Sequence, residues 1–276
     1  MSKANRPIFV TQQVSNHGTS NPIIARLGPQ VIELCDFFEL NKKQKEGLFD
    51  ILHDKVGKRC LESFDIYKAF EDDIFKIRAE IQTRGMQYQS NGKVLDLPSI
   101  SNIQQRAERF LYVSKLILRD LAEIFNVFFN KDFNNQNGLY KKILDWAKSE
   151  FGAEDPIYLQ VKKDYDSWIK ELIAKRNAIE HPGGYSGTFY IKDYSYIRHD
   201  GANKICEPIW YRNSEQPTHI LFDMEIFVHN CFTFSEEIFI LCLNKMPRLA
   251  GMPLRIVEIP EQERNSNNPI RFKVVT

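Results

Sequence analysis

The chain has 276 residues, 43% of them hydrophobic and 26% charged, a composition that supports one large folded domain or two small ones. With 37 Lys and Arg against 36 Asp and Glu, the net charge of +1 excludes whole-molecule attraction to nucleic acid, so any polynucleotide contact needs a local basic patch. The opening MSKANRPIFVTQQ has no apolar signal core, the apolar run Ile226 to Ser235 is too short to span a bilayer, and five scattered cysteines form no CxxC pair; a cytoplasmic protein off the membrane, with neither zinc ribbon nor disulfide framework, is expected.

Residues 1–21 are polar and aperiodic and read as an N-terminal arm; residues 22–276 read as a single helical domain. Ile24, Leu27, Val31, Leu34, Cys35 and Phe38 recur at three- and four-residue spacing, which predicts a first helix. Asn41 is placed to cap a second, shorter one, NKKQKEGLFDILHDKV. A longer helix follows with Ile66, Phe70, Ile74, Ile77 and Ile81 on one stripe and Gly85 as its stop, and QYQSNGKVLDLPS reads as a loop. Ser101 and Gln104 have capping-box spacing ahead of the longest helix, whose buried face runs from Ile103 through Phe110, Leu118 and Phe125 to Phe128. LYKKILDWAKSEFG gives a short helix, and Asp155-Pro156 opens another that runs through Tyr165, Trp168 and Leu172 to Arg176.

After Gly184 the pattern changes. GTFYIKDYSYIR and KICEPIWYR, joined at DGAN, predict a β-hairpin. Residues 219–245 return to helix, apolar on most sides, with Glu236-Glu237 marking a polar edge. LRIVEI and IRFKVV give two short strands. The fold class is therefore mainly α: a helical bundle with a β-hairpin inserted before the last major helix and short C-terminal strands, the β elaboration covering about 186–212 and 254–275.

The stretch AKRNAIEHPGGY is either an ordinary helix stop or a site. Arg176 sits where the apolar face of its helix continues, and a buried guanidinium needs a partner. Either a bundle carboxylate serves, with Asp73 near the apolar stripe as one candidate, or an external anion such as phosphate, which suits the flat fork of arginine. His181 precedes Pro182 and so lies at the end of the helix. A five-residue step turns about 140° around a regular helix, so Arg176 and His181 converge only if the last turn loosens; Asn177 and His181, four apart, can face the same way. Such a group could cleave RNA, the histidine moving a proton, the arginine stabilising charge on the phosphoryl oxygens and Asn177 orienting one of them. The blander reading has Arg176 paired to a carboxylate and His181 simply ending the helix.

The run R-N-A-I-E-H-P at Arg176–Pro182 resembles the R-x4-6-H motif of HEPN domains, in which a polar residue, often Asn, follows the arginine. The resemblance covers Arg176, Asn177 and His181 alone. It implies a helical bundle that forms a homodimer in which two motif-bearing helices build one ribonuclease site. It implies a metal-independent endoribonuclease acting on single-stranded RNA, of the kind found in toxins and anti-phage (abortive-infection) effectors, with an antitoxin or other regulatory partner. Some members of that family only bind partners or nucleotides, so a non-catalytic helical module is the alternative. Neither a metal nor a cofactor is expected: the sequence has no Walker loop, GxGxxG, nucleophile elbow or HExxH.

Two weaker features complete the reading. His229 and Cys231 are two apart on a helix and diverge, which favours a buried thiol beside a partly exposed imidazole over a metal pair. Lys162, Lys163, Lys170, Lys175 and Arg176 bias the motif helix positive, and Tyr185, Tyr190, Tyr194 and Tyr196 follow it. These tyrosines either fill a sheet and pack on the bundle or stack on unpaired bases.

Overall fold

Asn21 accepts a hydrogen bond from the Ile23 N–H at 2.9 Å and so opens the first helix, α1 (Pro22–Leu27). The computed structural model describes residues 17–84, 87–88, 95–133, 138–199, 202–213 and 215–276; most of the expected polar arm lies outside them. The single helix expected from the first apolar run is two, because Gly28-Pro29 interrupts it before α2 (Pro29–Cys35). Gly28 is fixed by space, since a Cβ there would stand 2.8 Å from the Ile24 carbonyl oxygen.

Asn41 caps α3 (Lys42–Phe49) in a full capping box with Gln44. The helix does not end at Val56 as expected. It widens into a π-helical stretch (Asp50–Gly57) and continues as α4 (Lys58–Arg84), so the two expected helices form one rod. No Pro breaks the backbone ladder there, and the wide turn absorbs the change of register. Gly85, the expected stop, lies outside the described residues. The expected loop that follows contains a two-residue ladder between β1 (Gln87–Tyr88) and β2 (Leu95–Asp96).

The longest expected helix is divided into α5 (Ile103–Leu121) and α6 (Ile124–Phe129). Its start also differs. Asn102, in the left-handed region at φ 55, precedes it with no side-chain cap, and Gln104 hydrogen-bonds Glu108 instead of closing a box with Ser101. Next come α7 (Leu139–Phe151) and α8 (Pro156–Asp164), the latter capped by Asp155 with Pro156 at the first position. A π-helical turn (Tyr165–Ile169) joins α8 to α9 (Lys170–Glu180). Part of the phenylalanine content gathers around Trp146, whose ring centroid lies 5.3–5.7 Å from those of Phe125, Phe129, Phe133 and Phe151.

The hairpin keeps one register along its length, interrupted at residues 193–194 and 207–208. β3 (Phe189–Lys192) pairs antiparallel with β6 (Ile209–Arg212), and β4 (Ser195–His199) with β5 (Ala202–Cys206). A short β7 (Thr218–His219) adds to β6 and leads into α10 (Ile220–Leu243). By length and composition α10 could cross a membrane, with mean hydropathy 1.5, yet 67% of its apolar window is buried and it packs on α4, α5 and α8. The chain closes with β8 (Arg255–Glu258) antiparallel to β9 (Phe272–Val275). Buried apolar side chains from Ile23 to Leu243 form one contiguous core. The expected mainly α fold, with the hairpin before the last major helix, is therefore the observed one.

Glu236 corrects the expectation of a polar edge. It is fully buried, accepting from Arg26 Nε and Gln30 Nε2 at 2.8 Å each and lying 3.2 Å from Arg271 Nη1. Gln30 Oε1 accepts in turn from the Arg271 and Phe272 N–H groups at 2.6 and 2.7 Å. This buried polar knot ties β9 to α1, α2 and α10. Glu237 alone marks the edge, where it accepts from Gln160 Nε2 at 2.8 Å.

Candidate functional site

The motif helix is aimed by three local features. Asp155 and Pro156 start α8, the π-helical turn shifts the register near Trp168, and Trp168 Nε1 donates to Asp164 Oδ1 at 2.7 Å. After that shift Trp168, Ile169, Leu172, Lys175 and Arg176 are all buried. The helix ends at His181, whose backbone leaves the helical region at φ −134, ψ 70 while its N–H still donates to the Asn177 carbonyl at 2.9 Å. Pro182 enforces that departure.

Arg176 is 8% exposed. Its Nη2 lies 2.7 Å from Glu180 Oε1, and its guanidinium lies over the Tyr112 ring with Cζ 5.1 Å from the centroid. Its Nε and Nη1 are buried and meet no acceptor among the described residues. Asp73, the candidate partner from sequence, pairs instead with Arg106 at 2.6 Å, because the i,i+4 carboxylate of Glu180 already reaches Arg176. Asn177 is half-buried and accepts from Lys115 Nζ at 2.9 Å. The same ammonium lies 2.9 Å from Glu180 Oε2, so one carboxylate bridges Lys115 of α5 and Arg176 of α9. Burial pushes the Glu180 carboxyl up, but the Lys115 ammonium, with Arg176 and His181, outweighs it and holds the group below its usual range.

A groove of about 1280 Å³ runs beside this cluster, walled by α5, the start of α7, the motif helix and Tyr185, Ser186, Arg212, Glu215 and Gln216. Tyr112, Lys115, Asn177 and Glu180 line it. Arg176 touches Tyr112 and Glu180 and thus stands directly behind that wall. Apart from the buried Lys175, five Lys and Arg side chains and four carboxylates line the groove. His181 is solvent-exposed at the end of the helix. The structure therefore brings Asn177 to the groove, sets Arg176 behind it and leaves His181 at the helix end.

The positive bias expected from the lysines is partly absorbed. Lys175 is buried beside Glu171 at 3.0 Å and Asp223 at 3.6 Å, with its Nζ 5.5 Å from the Trp210 centroid. The tyrosines divide: Tyr194 packs in the core, Tyr190 stacks on Tyr211 with centroids 5.0 Å apart, and Tyr185 is wholly exposed at the groove. A tight loop presents Tyr185. Gly183 N–H donates to the Gly187 carbonyl at 3.1 Å, and Gly187, at φ 78, faces the Asn213 side chain where a Cβ would collide. His229 is exposed and Cys231 buried, as expected. Among the described residues no three His, Cys, Asp or Glu side chains are grouped to hold a metal ion.

Sequence reasoning missed Lys115 and Glu180. Glu180 carried a usable signal in its four-residue spacing from Arg176. Lys115 carried none, because its place beside Asn177 depends on how α5 packs against α9. No protein-family model, curated protein or solved structure matches the chain.

Proposed function

We propose that the protein is a metal-independent endoribonuclease of HEPN type in which Arg176, Asn177 and His181 act on single-stranded RNA. The observation that carries this reading is the unmet hydrogen-bonding capacity of Arg176. Two buried N–H donors without acceptors cost about 1–3 kcal/mol each, and an arginine kept for packing alone would be replaced by an apolar residue without that loss. A phosphodiester supplies the missing acceptors, and the adjoining groove supplies cations and aromatic faces for an unpaired strand.

In the reaction the ribose 2′-oxygen attacks phosphorus, its proton passes to a base, and the P–O5′ bond breaks. The 5′-oxygen takes a proton and leaves as a hydroxyl, and the other fragment keeps a 2′,3′-cyclic phosphate. His181 moves one of these protons. Arg176 stabilises the charge on the phosphoryl oxygens, and Asn177 orients a phosphate or the imidazole. The family geometry adds a second copy of the motif helix, which brings the exposed His181 of each chain to a shared groove.

The test compares a single-stranded RNA with the DNA strand of the same sequence in the presence of EDTA. The reading expects RNA to be cut and DNA to survive, because only RNA carries the nucleophile. Cutting of both strands alike, or an absolute need for a divalent ion, would sink it. The Arg176–Glu180 ion pair favours a second reading, a HEPN-like binding module without catalysis, since it already neutralises the motif arginine. RNA bound but never cut is the outcome that reading expects.

A further inference from the structure

We propose that Glu180 is a built-in anion occupying a phosphate position between Lys115 and Arg176, and that a backbone phosphate of a single-stranded polynucleotide replaces it when the strand enters the groove. The inference rests on the proposed reading for its ligand class, though not on cleavage. Its basis is the way one carboxylate is used twice. Oε1 lies 2.7 Å from Arg176 Nη2 and Oε2 lies 2.9 Å from Lys115 Nζ. Two cations from different helices thus converge on one small anionic group at the edge of a groove, which is also the arrangement that receives a phosphodiester.

Glu180 itself is placed for exchange. Its side chain is 35% exposed and, among the described residues, is held by these two ion pairs. Arg176 is the opposite: buried, over the Tyr112 ring, and reachable from the groove by way of the space Glu180 fills. Displacing the carboxylate uncovers the guanidinium, and a phosphate has enough oxygens to meet the Nε and Nη1 donors that Glu180 leaves unmet. Tyr185 stands wholly exposed on its glycine-bounded loop along the same groove, a flat face on which an unpaired base next to that phosphate stacks.

The test measures anisotropy of a fluorescent all-2′-deoxy single strand, which presents phosphates but cannot be cut through a 2′-hydroxyl. Glu180→Gln, which keeps the shape and removes the charge, is expected to bind several-fold tighter than wild type. Lys115→Ala is expected to bind several-fold weaker, with the slope of log affinity against log salt reduced by about one. Tyr185→Ala, a change at a fully exposed side chain that leaves the fold untouched, is expected to weaken binding as well. Unchanged or weaker binding by Glu180→Gln overturns the proposal, as does wild-type binding by Tyr185→Ala. Strand binding with these shifts but no RNA cleavage would sustain the inference and defeat the ribonuclease reading. RNA cleavage with variants that all bind like wild type would do the reverse.

Discussion

Arg176 and Glu180 form an ion pair within the last turn of the motif helix, with Nη2 and Oε1 2.7 Å apart, and the pair leaves two of the arginine's buried donors unmet. Arg176→Met keeps the stem's packing on Tyr112 and removes both unmet donors. Its unfolding free energy in urea is expected to stay within about 1 kcal/mol of wild type or to rise. A loss of about 3–5 kcal/mol would mean that Arg176 is a structural ion.

Glu236 is the contrasting case. Its carboxylate is fully buried and shared by Arg26, Gln30 and Arg271, so removing it strands the buried Arg26 guanidinium and takes one of three carboxylate partners from Arg271. Glu236→Ala is expected to lose about 3–5 kcal/mol in equilibrium unfolding, while Glu237→Ala, on the partly exposed edge, loses far less. Equal losses at the two positions would contradict the knot between β9 and the bundle.

The bundle, the hairpin and the terminal strands were legible because each has a periodic signal: the stripe through Phe70 and Ile74, the alternation in FYIK and IWYR, and Pro156 after Asp155. Breaks and continuations were less so. Gly28-Pro29 divided a helix whose apolar spacing ran on, and the π-helical stretch through Val56 joined two helices whose spacing changed. Arg176 and His181 stand out in the sequence because their types are unusual at those positions. Burial of Glu236 depends on Arg26 and Arg271 arriving from opposite ends of the chain, and the Lys115–Asn177 contact on helix packing; neither contact has a local signature.

Acid stability follows from Glu180. Its folded pKa is lowered from 4.5, so its contribution is fully present above about pH 4.5 and is lost as pH falls through the lowered value. Melting temperatures of wild type and Glu180→Gln should therefore differ near neutral pH and converge in acid. Curves that stay parallel down to low pH would show that the carboxylate is not held by Lys115 and Arg176.

The thiols give an independent check on the core. Cys35, Cys60, Cys231 and Cys242 are buried, and burial pushes the Cys35 thiol up to about 12, whereas Cys206 on β5 is only half-buried. A chromogenic disulfide reagent should label Cys206 rapidly in the native protein and the four others only on unfolding. Rapid labelling of several thiols would contradict the packing of α2, α4 and α10.

The central claim, that the end of α9 performs chemistry on RNA, is tested most directly by the termini it leaves. Purified protein in EDTA is incubated with a single-stranded RNA, and the fragments are analysed by mass. The account predicts 2′,3′-cyclic phosphate on one fragment and a 5′-hydroxyl on the other, with a rate that changes between about pH 5 and 8, the range in which imidazole titrates. Arg176→Ala and His181→Ala should each abolish both products, with His181→Ala still binding the strand. Fragments carrying a 3′-hydroxyl and a 5′-phosphate, or full activity in the double variant, would contradict it.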